Sequence, residues 1–536
     1  MIHYQFNSTQ MKKISVFALA MAILVFASCK KFLAENPKSS QPVDDYYQTI
    51  DQVQSAVNYL YNPATGPNNF FTIGGLYDAS YSFTLDNLSG MANNVVAQNP
   101  SVRYFASLTQ TSDNEDNYVD AIWSSFYSNI ASANTIISQV GASKTIDQTA
   151  AAPLVATAKF FRAMDYYYLV RLFGAVPLIL KPYTSLDGIY APRTSVDSVY
   201  QAIVADLNDA YTNGGLADKP MGQNGNQVSK GAVGTVLSEV YLTMAGKPLG
   251  QGSTAYTSAL QTAQSIISSS GGYALFDNSG GSTAFDKLRL TSYDQGSEYM
   301  YFVEYNSSIQ QSAYPEYSLP NTFPLSVPNS NLHVAYTLVT QAWTPTATLL
   351  SMYDSANDIR RHEKQFYSTS FNYIATGGTP ASITYSFMPY RWFDSLAIFS
   401  TAASGKYTSV YRLADVYLIA AEAANELNQD PTPFLTPILA RAYITPPAIP
   451  SSQTDRRNFI LAERFKELAM EGHFWFDMLR TQSYPDVDAS HNVTFSALVG
   501  HSNGRGQSYT NTDLLFPLPE TEMQRNPNLI PQNPGY

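Results

Sequence analysis

The chain has 536 residues, 45% of them hydrophobic, and carries 31 Lys plus Arg against 42 Asp plus Glu, a formal net charge of −11 at pH 7. This composition is that of a globular protein long enough for two coupled domains. The negative charge, with no basic run longer than a pair, argues against nucleic acid as a partner. The single cysteine excludes a disulfide framework.

The first element in the chain is an apolar segment that follows two lysines. The run from Ile14 to Ala27 has no charged residue. A membrane-spanning helix needs about 20 apolar residues, so this shorter run is typical of a secretory signal peptide. Met1 to Gln10 has no signal character, and Met11 is an alternative start. The sequence therefore predicts a signal peptide over residues 1–28.

The only cysteine, Cys29, lies directly behind this segment. The preceding Ala27 and Ser28 are small, as in the cleavage site of a bacterial lipoprotein, where the thiol takes lipid and becomes the new N-terminus. The alternatives are an ordinary signal peptide cut near Ala27 or a structural cysteine. We predict lipidation at Cys29. One acyl chain holds a protein to a bilayer only weakly, but this modification supplies several, so the chain stays on the membrane without crossing it.

Helical periodicity dominates residues 29–270. Apolar residues recur every three or four positions, which is the spacing of one helix face. One pattern stops at Gly174, with Pro177 beyond it, the expected punctuation of a helix end. The predicted helices cover residues 116–137, 152–173, 195–211, 228–246 and 255–269. Successive amphipathic helices joined by short loops resemble tetratricopeptide-like pairs. The predicted fold class is mainly α.

From residue 271 to 406 the chain becomes loop-rich. Gly, Pro, Ser, Asn and Tyr separate short strand patterns, two of which cover residues 296–308 and 381–393. Loops of this length are usually functional or disordered, and their aromatic content argues against disorder. We therefore predict a ligand-binding region here. Helices return in residues 407–536, which end in an ordered proline-rich tail.

Carboxylates at helical spacing raise the question of catalysis. Glu463, Glu467 and Glu471 follow each other at four-residue steps on one predicted helix. Such neighbours project in parallel, about 6 Å apart, whereas glycosidase carboxylates flank a bond from both sides. Arg464, Lys466 and Arg480 offer ion-pair partners. Together with the lack of an HExxH, GxSxG or Walker motif, this predicts a structural ion-pair network and no enzyme.

An acidic cluster precedes the first long predicted helix. Asp113, Glu115 and Asp116 offer oxygen ligands of the kind that Ca²⁺ prefers. The cluster lacks the glycine and the spacing of an EF-hand loop. Acidic residues at a helix start are also favoured by capping and by the helix dipole. We predict no cofactor and keep calcium at this cluster as the disfavoured alternative.

Aromatic and amide residues outside the helical patterns suit a neutral sugar. An aromatic face packs against the apolar C–H face of a pyranose, while Asp, Asn and Arg hydrogen-bond to its hydroxyl groups. For each aromatic ring taken singly, packing within a loop is the alternative. The candidate ligand-binding residues are Tyr77, Asp86, Asn93, Tyr104, Tyr314, Tyr317, Trp343 and Trp392.

Several short motifs occur together and in a fixed order. They are Cys29 with Phe32, Leu33 and Pro37; Ala133, Asn134, Ile136 and Ile137; Arg162, Ala163 and Tyr167 before Phe173, Gly174, Pro177 and Leu178; Arg412 to Leu418 with Ala421, Glu422 and Ala423; Glu463, Arg464, Glu467, Leu468, Glu471, Gly472, Trp475, Asp477 and Arg480; and the tail from Phe516 to Tyr536. Each motif is weak alone. In this order the chain resembles the SusD/RagB family of outer-membrane lipoproteins from Bacteroidetes over nearly its whole length.

The resemblance implies a fold, a function and partners. The fold is a set of tetratricopeptide-like helix pairs that display a loop-rich region. The implied function is to bind an oligosaccharide or polysaccharide at the cell surface and deliver it to a SusC-like TonB-dependent transporter, with a lipid anchor in the outer membrane. Capture of peptides, as in RagB-like relatives, is the alternative. A glycan-degrading enzyme and a purely structural interaction protein are disfavoured.

Overall fold

The computed structural model describes residues 46–61, 79–93, 100–335, 343–505 and 507–536. The predicted signal peptide, the lipidation site Cys29 and the candidate residue Tyr77 lie outside the described residues. In the described part of the chain, no helix is both long and apolar enough to cross a membrane.

Helices form most of the ordered structure, so the prediction of a mainly α fold is confirmed. Their bounds are α1 Ile50–Leu60, α2 Ala79–Leu88, α3 Pro100–Ala106, α4 Ser112–Ala142, α5 Gln148–Phe173, α6 Val196–Asn213, α7 Lys230–Ala245, α8 Ser253–Ile267, α9 Ala284–Arg289, α10 Tyr314–Ser318, α11 Ala347–Ser351, α12 Leu413–Glu426, α13 Thr432–Ala442, α14 Gln453–Glu467, α15 Phe474–Thr481 and α16 Glu520–Arg525.

The long helices begin and end where local chemistry requires it. Thr111 caps α4, because its side chain accepts a hydrogen bond from the Asn114 N–H while the Asn114 side chain accepts one from the Thr111 N–H. The next helix, α5, starts after the side chain of Asp147 accepts two backbone N–H groups. It ends at Gly174, whose φ of 70° favours glycine. The predicted end at this glycine is confirmed.

Neighbouring helices pack as pairs: α4 on α5, α5 on α6, and α7 on α8, with α12 against α8. Small residues allow the close approach. A Cβ atom on Gly234 of α7 would lie 2.7 Å from the Tyr211 ring and 3.0 Å from the Ile266 side chain. The predicted paired-helix architecture is therefore what the structure shows.

In the described ranges the strands form four two-stranded antiparallel ribbons, which pair β1 with β3, β2 with β6, β4 with β5, and β7 with β8. Their bounds are β1 Ala92–Asn93, β2 Tyr299–Val303, β3 Thr344–Pro345, β4 Tyr367–Ile374, β5 Pro380–Pro389, β6 Thr408–Arg412, β7 Ser483–Val487 and β8 Val493–Ala497. In the ribbon of β2 and β6, Tyr299 pairs with Arg412 and Val303 pairs with Thr408. This ribbon joins the loop-rich region to the C-terminal helices.

The buried apolar residues form two clusters. The larger one runs from Val53 to Leu529 and unites nearly all the helices. The smaller one contains Leu319, Phe323, Met388 and Ile398 and lies inside the predicted loop-rich region. The predicted boundaries at residues 271 and 406 stay a prediction, because the larger cluster crosses both of them.

One predicted helix is wrong. The sequence pattern over residues 454–480 continues through Glu471, but α14 ends at Glu467 and α15 begins at Phe474. Met470 has a φ of 59° and Gly472 a φ of 82°, a left-handed conformation that no α-helix contains. Glu471 therefore lies in a turn and not on the helix that carries Glu463 and Glu467.

The helix end at Gly174 can be tested by substitution. We expect Gly174→Ala to lower the free energy of unfolding by about 1–3 kcal/mol, because alanine is strained at this backbone conformation. Its Cβ would also lie 3.1 Å from the Leu515 side chain. The matched control is Gly141→Ala near the end of α4, where a Cβ meets nothing within 4 Å. Urea unfolding of both variants checks this, and equal stability of the two would contradict the assignment.

Candidate functional site

A buried network of arginines and carboxylates lies at one end of the β2 and β6 ribbon. Arg412 donates to Glu298 at 2.7 Å, to Glu467 at 3.1 Å and to Glu471 at 2.7 Å. Arg441 donates to the same Glu298 and Glu467, each at 2.6 Å. All of these carboxylate side chains are fully buried. The predicted ion-pair network is therefore confirmed.

The members of the network differ in part from the predicted ones. Lys466 pairs with Glu463 as predicted, whereas Arg464 donates to Asp477 at 2.7 Å and to Glu239 at 3.0 Å. Arg480 pairs with Asp477 at 2.8 Å and also with Glu422. These pairs form a second buried network next to the first, which sequence spacing did not reveal because Glu239 is far away in the chain.

The electrostatics of Glu471 and of the nearby Glu463 argue against either as a catalytic acid. Burial alone would raise the pKa of Glu471, but Arg391 and Arg412 outweigh it and lower this pKa to about 2. Lys466 and Arg360 likewise outweigh burial and lower the pKa of Glu463 to about 2. A carboxylate of this kind is ionised at neutral pH and has no proton to give to a leaving group.

Three of the predicted ligand-binding rings form a buried stack. Trp343 and Trp392 lie with ring centroids 6.3 Å apart and planes 16° apart, and Tyr314 lies 4.3 Å from Trp392. None of the three is more than 2% exposed. The prediction that Tyr314, Trp343 and Trp392 present open ring faces to a sugar is therefore corrected. Their aromatic surface packs within the protein, which was the alternative to ligand binding for each of these rings.

Asp86 belongs to the same buried layer. Its side chain is fully buried, and burial raises its pKa well above the ordinary value, although the Trp343 indole partly offsets this. The predicted role of Asp86 as a hydroxyl acceptor at the edge of a sugar site is corrected, since the carboxyl group is closed off from solvent.

Two other predicted residues are brought together above this layer. Asn93 of β1 pairs with Thr344, whose hydroxyl donates to the Asn93 carbonyl at 2.7 Å. The preceding residue, Trp343, donates its N–H to the Tyr317 carbonyl at 2.7 Å. Asn93 and Tyr317 are both partly exposed. Both therefore bind to the segment Trp343–Thr344 through their carbonyl groups, and both remain candidates for ligand contact.

Tyr104 lies on α3, which Arg505 connects to strand β1. The Arg505 guanidinium donates to the carbonyl of Ala106 at 2.9 Å and to that of Ala92 at 2.6 Å, so it ties α3 to β1. Tyr104 is partly exposed, and the Arg103 guanidinium lies 5.4 Å from its ring centroid. It also remains a candidate.

The structure shows a polar cavity that sequence reasoning missed. It has a volume of about 390 Å³ and lies at the other end of the β2 and β6 ribbon from the buried ion pairs. Its lining residues are Thr291, Ser292, Asp294, Gln295, Tyr305, Asn306, Ser307, Gly405 and Tyr407. All of them except Tyr407 fall within the predicted ligand-binding region. The run of Tyr, Asn and Ser at residues 305–308 is a sequence feature that could have indicated this cavity.

The charges of Asp294 and Lys406 beside this cavity neutralise each other. The Lys406 ammonium pairs with Asp294, and the backbone N–H of Tyr407 donates to the second Asp294 oxygen at 3.0 Å. Burial is the largest cause of the raised pKa of Asp294. The cavity therefore offers hydroxyl and amide groups, and no unpaired charge from Asp294 or Lys406.

Tyr407 is held rigidly at the edge of the cavity. Phe302 stacks on its ring with a centroid distance of 5.2 Å and planes 26° apart. Its hydroxyl donates to Glu304 at 3.1 Å, and Asn226 donates to the same carboxylate at 2.8 Å. Burial and Glu304 raise the pKa of Tyr407 to about 12, so the phenol keeps its proton. A fixed ring beside the amides of Gln295 and Asn306 suits a polyol with one apolar face.

The acidic cluster at the start of α4 makes contacts within the protein. Asp116 accepts a hydrogen bond from the backbone N–H of Glu520 at 2.6 Å and one from the Thr521 hydroxyl at 2.9 Å. Asp113 lies in the first turn of α4, and Glu115 is buried. Among the residues that the structure describes, no group of three or more His, Cys, Asp or Glu is arranged to hold a metal. Calcium at this cluster stays an untested alternative.

Comparison with known families matches two models to different parts of the chain. Residues 341–536 match the model of the SusD family. Residues 31–242 match a SusD-like model described as "Starch-binding associating with outer membrane". The first match includes Gly405 and Tyr407 of the polar cavity, together with Arg412, Arg441 and Glu467 of the buried ion pairs. Residues 243–340 fall outside both matches.

Individual relatives extend over nearly the whole chain. SusD-like protein P2 of Formosa agariphila is 26% identical over 98% of this chain and 100% of its own length. The crystal structure of a SusD superfamily protein from Parabacteroides distasonis is 29% identical, covers 90% of this chain and 98% of its own, and has a TM-score of 0.76. A laminarin-binding SusD-like protein shares the fold, with 20% identity, 91% and 100% coverage, and a TM-score of 0.68.

The importance of the buried ion pairs can be tested at Arg412. We expect Arg412→Met to lower the free energy of unfolding by about 3–5 kcal/mol, because Glu467 and Glu471 stay buried with fewer partners. The matched control is Arg457→Met, which removes an arginine that is 44% exposed in its pair with Glu426; an exposed pair contributes about 0–1 kcal/mol. Urea unfolding at pH 7 measures both. A similar small loss in the two variants would show that the buried network does not hold the fold.

Proposed function

The chain belongs to the SusD/RagB family, and on this premise we propose that it is a cell-surface lipoprotein that binds a glycan and delivers it to a SusC-like TonB-dependent transporter. Association with the outer membrane follows the description of the family model that matches residues 31–242. Attachment through lipid at Cys29, orientation towards the cell exterior and transfer to the transporter are part of the proposal.

The observation that carries the proposal is the neutral polar cavity beside the fixed ring of Tyr407. A sugar needs an apolar platform for its C–H face and neutral donors and acceptors for its hydroxyl groups. Gln295, Asn306 and Ser307 supply such groups at one cavity wall. We place a sugar ring against Tyr407, with its hydroxyl groups bonded to these side chains. The laminarin-binding relative supports a glucan as the first ligand to try.

The same geometry favours binding over cleavage. Hydrolysis of a glycosidic bond requires two carboxyl groups on opposite sides of the bond. Among the described residues that line the cavity, Asp294 is the single carboxyl group, and it is already paired with Lys406. The proposal therefore assigns capture to this protein and leaves bond breaking to other proteins.

We expect native affinity electrophoresis to show retardation by one polysaccharide of a panel that includes laminarin. Tyr407→Ala should lose about 1–3 kcal/mol of affinity, by analogy with the stacking of bases on aromatic rings. Tyr407→Phe keeps the ring and should retain most of the retardation. Tyr59→Ala removes an aromatic that is 45% exposed on α1 and serves as the control.

Three results would change the proposal. Unchanged retardation of Tyr407→Ala would move the sugar away from this cavity, and then Asn93, Tyr104 and Tyr317 would be the residues to substitute. Release of reducing ends by the purified protein would favour an enzyme. Retention of peptides, with no polysaccharide retarded, would favour the peptide-capturing alternative.

A further inference from the structure

A second cavity lies among the helices, away from the polar one. It has a volume of about 460 Å³, within the range of about 300–1,000 Å³ that is usual for ligand pockets. Helices α5, α6, α7 and α15 and the segment after Asn511 form its walls. Much of the wall is aliphatic or aromatic, and it includes Val170, Val196, Phe476, Leu479, Leu514 and Leu515.

One buried cation lines this apolar cavity. Arg171 is only 8% exposed, and its guanidinium carbon lies 3.6 Å from the ring centroids of both Tyr167 and Phe476. The Nε atom donates to the Tyr167 carbonyl at 3.1 Å. The Nη2 atom is buried and has no hydrogen-bond partner. Two aromatic faces therefore hold the guanidinium in place while one of its donors is left unused.

The charge partners of Arg171 differ from those of other deeply buried arginines. Arg360, Arg412 and Arg464 each pair with two or more carboxylates. Among the ion pairs within the described ranges of the chain, none includes Arg171. Because a buried charge normally needs a partner, the missing counter-charge is a feature that requires explanation.

The rest of the cavity wall adds positive charge and no negative charge. Lys247 lies exposed at its edge, and Arg480 lies inside but is neutralised by Glu422 and Asp477. In the described part of the chain, no Asp or Glu lines this cavity. A protein with a net charge of −11 thus has a cavity whose unpaired groups are all cationic.

We propose that this cavity binds a small amphipathic carboxylate, whose carboxylate group pairs with Arg171 and whose apolar body lies against the aliphatic wall. A guanidinium forms strong charge-assisted hydrogen bonds to a carboxylate. A dianion such as phosphate fits less well, because most of the wall cannot hydrogen-bond to its further oxygens. This site is separate from the proposed glycan cavity and does not depend on it.

The test uses 4-phenylbutanoate and its neutral amide as probes, with binding to the full protein measured by isothermal titration calorimetry. We expect the carboxylate to bind wild type with a Kd at least tenfold lower than that of the amide. Arg171→Gln should bind the two probes with equal affinity. The control Lys144→Gln removes one exposed positive charge near the end of α4 and should keep the tenfold preference.

A second variant keeps the test valid if Arg171→Gln does not fold. Val196→Trp fills the cavity from the first turn of α6 and leaves Arg171 in the sequence. It should weaken the binding of both probes at least tenfold. The proposal is overturned if wild type binds neither probe or does not discriminate between them. It is equally overturned if Arg171→Gln keeps the preference or if Val196→Trp binds as wild type does.

Discussion

The buried contacts of Arg412 and Arg441 with Glu298 and Glu467 are the interaction on which the rest of the structure depends. They join four separate parts of the chain: the residue before β2, the end of β6, helix α13 and the end of α14. Removing one partner of such a set leaves a charge unpaired in the interior, which is far more costly than the loss of a surface pair. The network therefore fixes how the loop-rich region is attached to the helices.

The ribbon of β2 and β6 connects this network to the proposed glycan site. Its Tyr299 and Arg412 end lies in the ion pairs, and its Val303 and Thr408 end leads directly into the residues that line the polar cavity. Five residues of strand span about 17 Å. A cavity built on such a short, anchored ribbon keeps its shape without a ligand, and this reduces the entropy that binding a sugar has to overcome.

Local chemistry made the helices and their ends predictable, as at Thr111 and Gly174, and ordered motifs made the family predictable. The helix break before Glu471 could not be predicted, because a left-handed residue such as Met470 does not alter the amphipathic pattern of the sequence. The site itself was largely missed. Its lining comes from three segments, 291–295, 305–307 and 405–407, which only the pairing of distant strands brings together. Trp392 shows the converse: loop composition cannot tell which aromatic rings the loops will cover.

The most direct test of this account is a crystal structure of the protein with an oligosaccharide of the polysaccharide that it binds best. The account predicts an uncleaved sugar chain with one ring against Tyr407 and hydroxyl groups bonded to Gln295 and Asn306. Arg412 and Glu467 should keep the positions they have without sugar. A sugar bound elsewhere, or one that enters by opening the buried ion pairs, would contradict it.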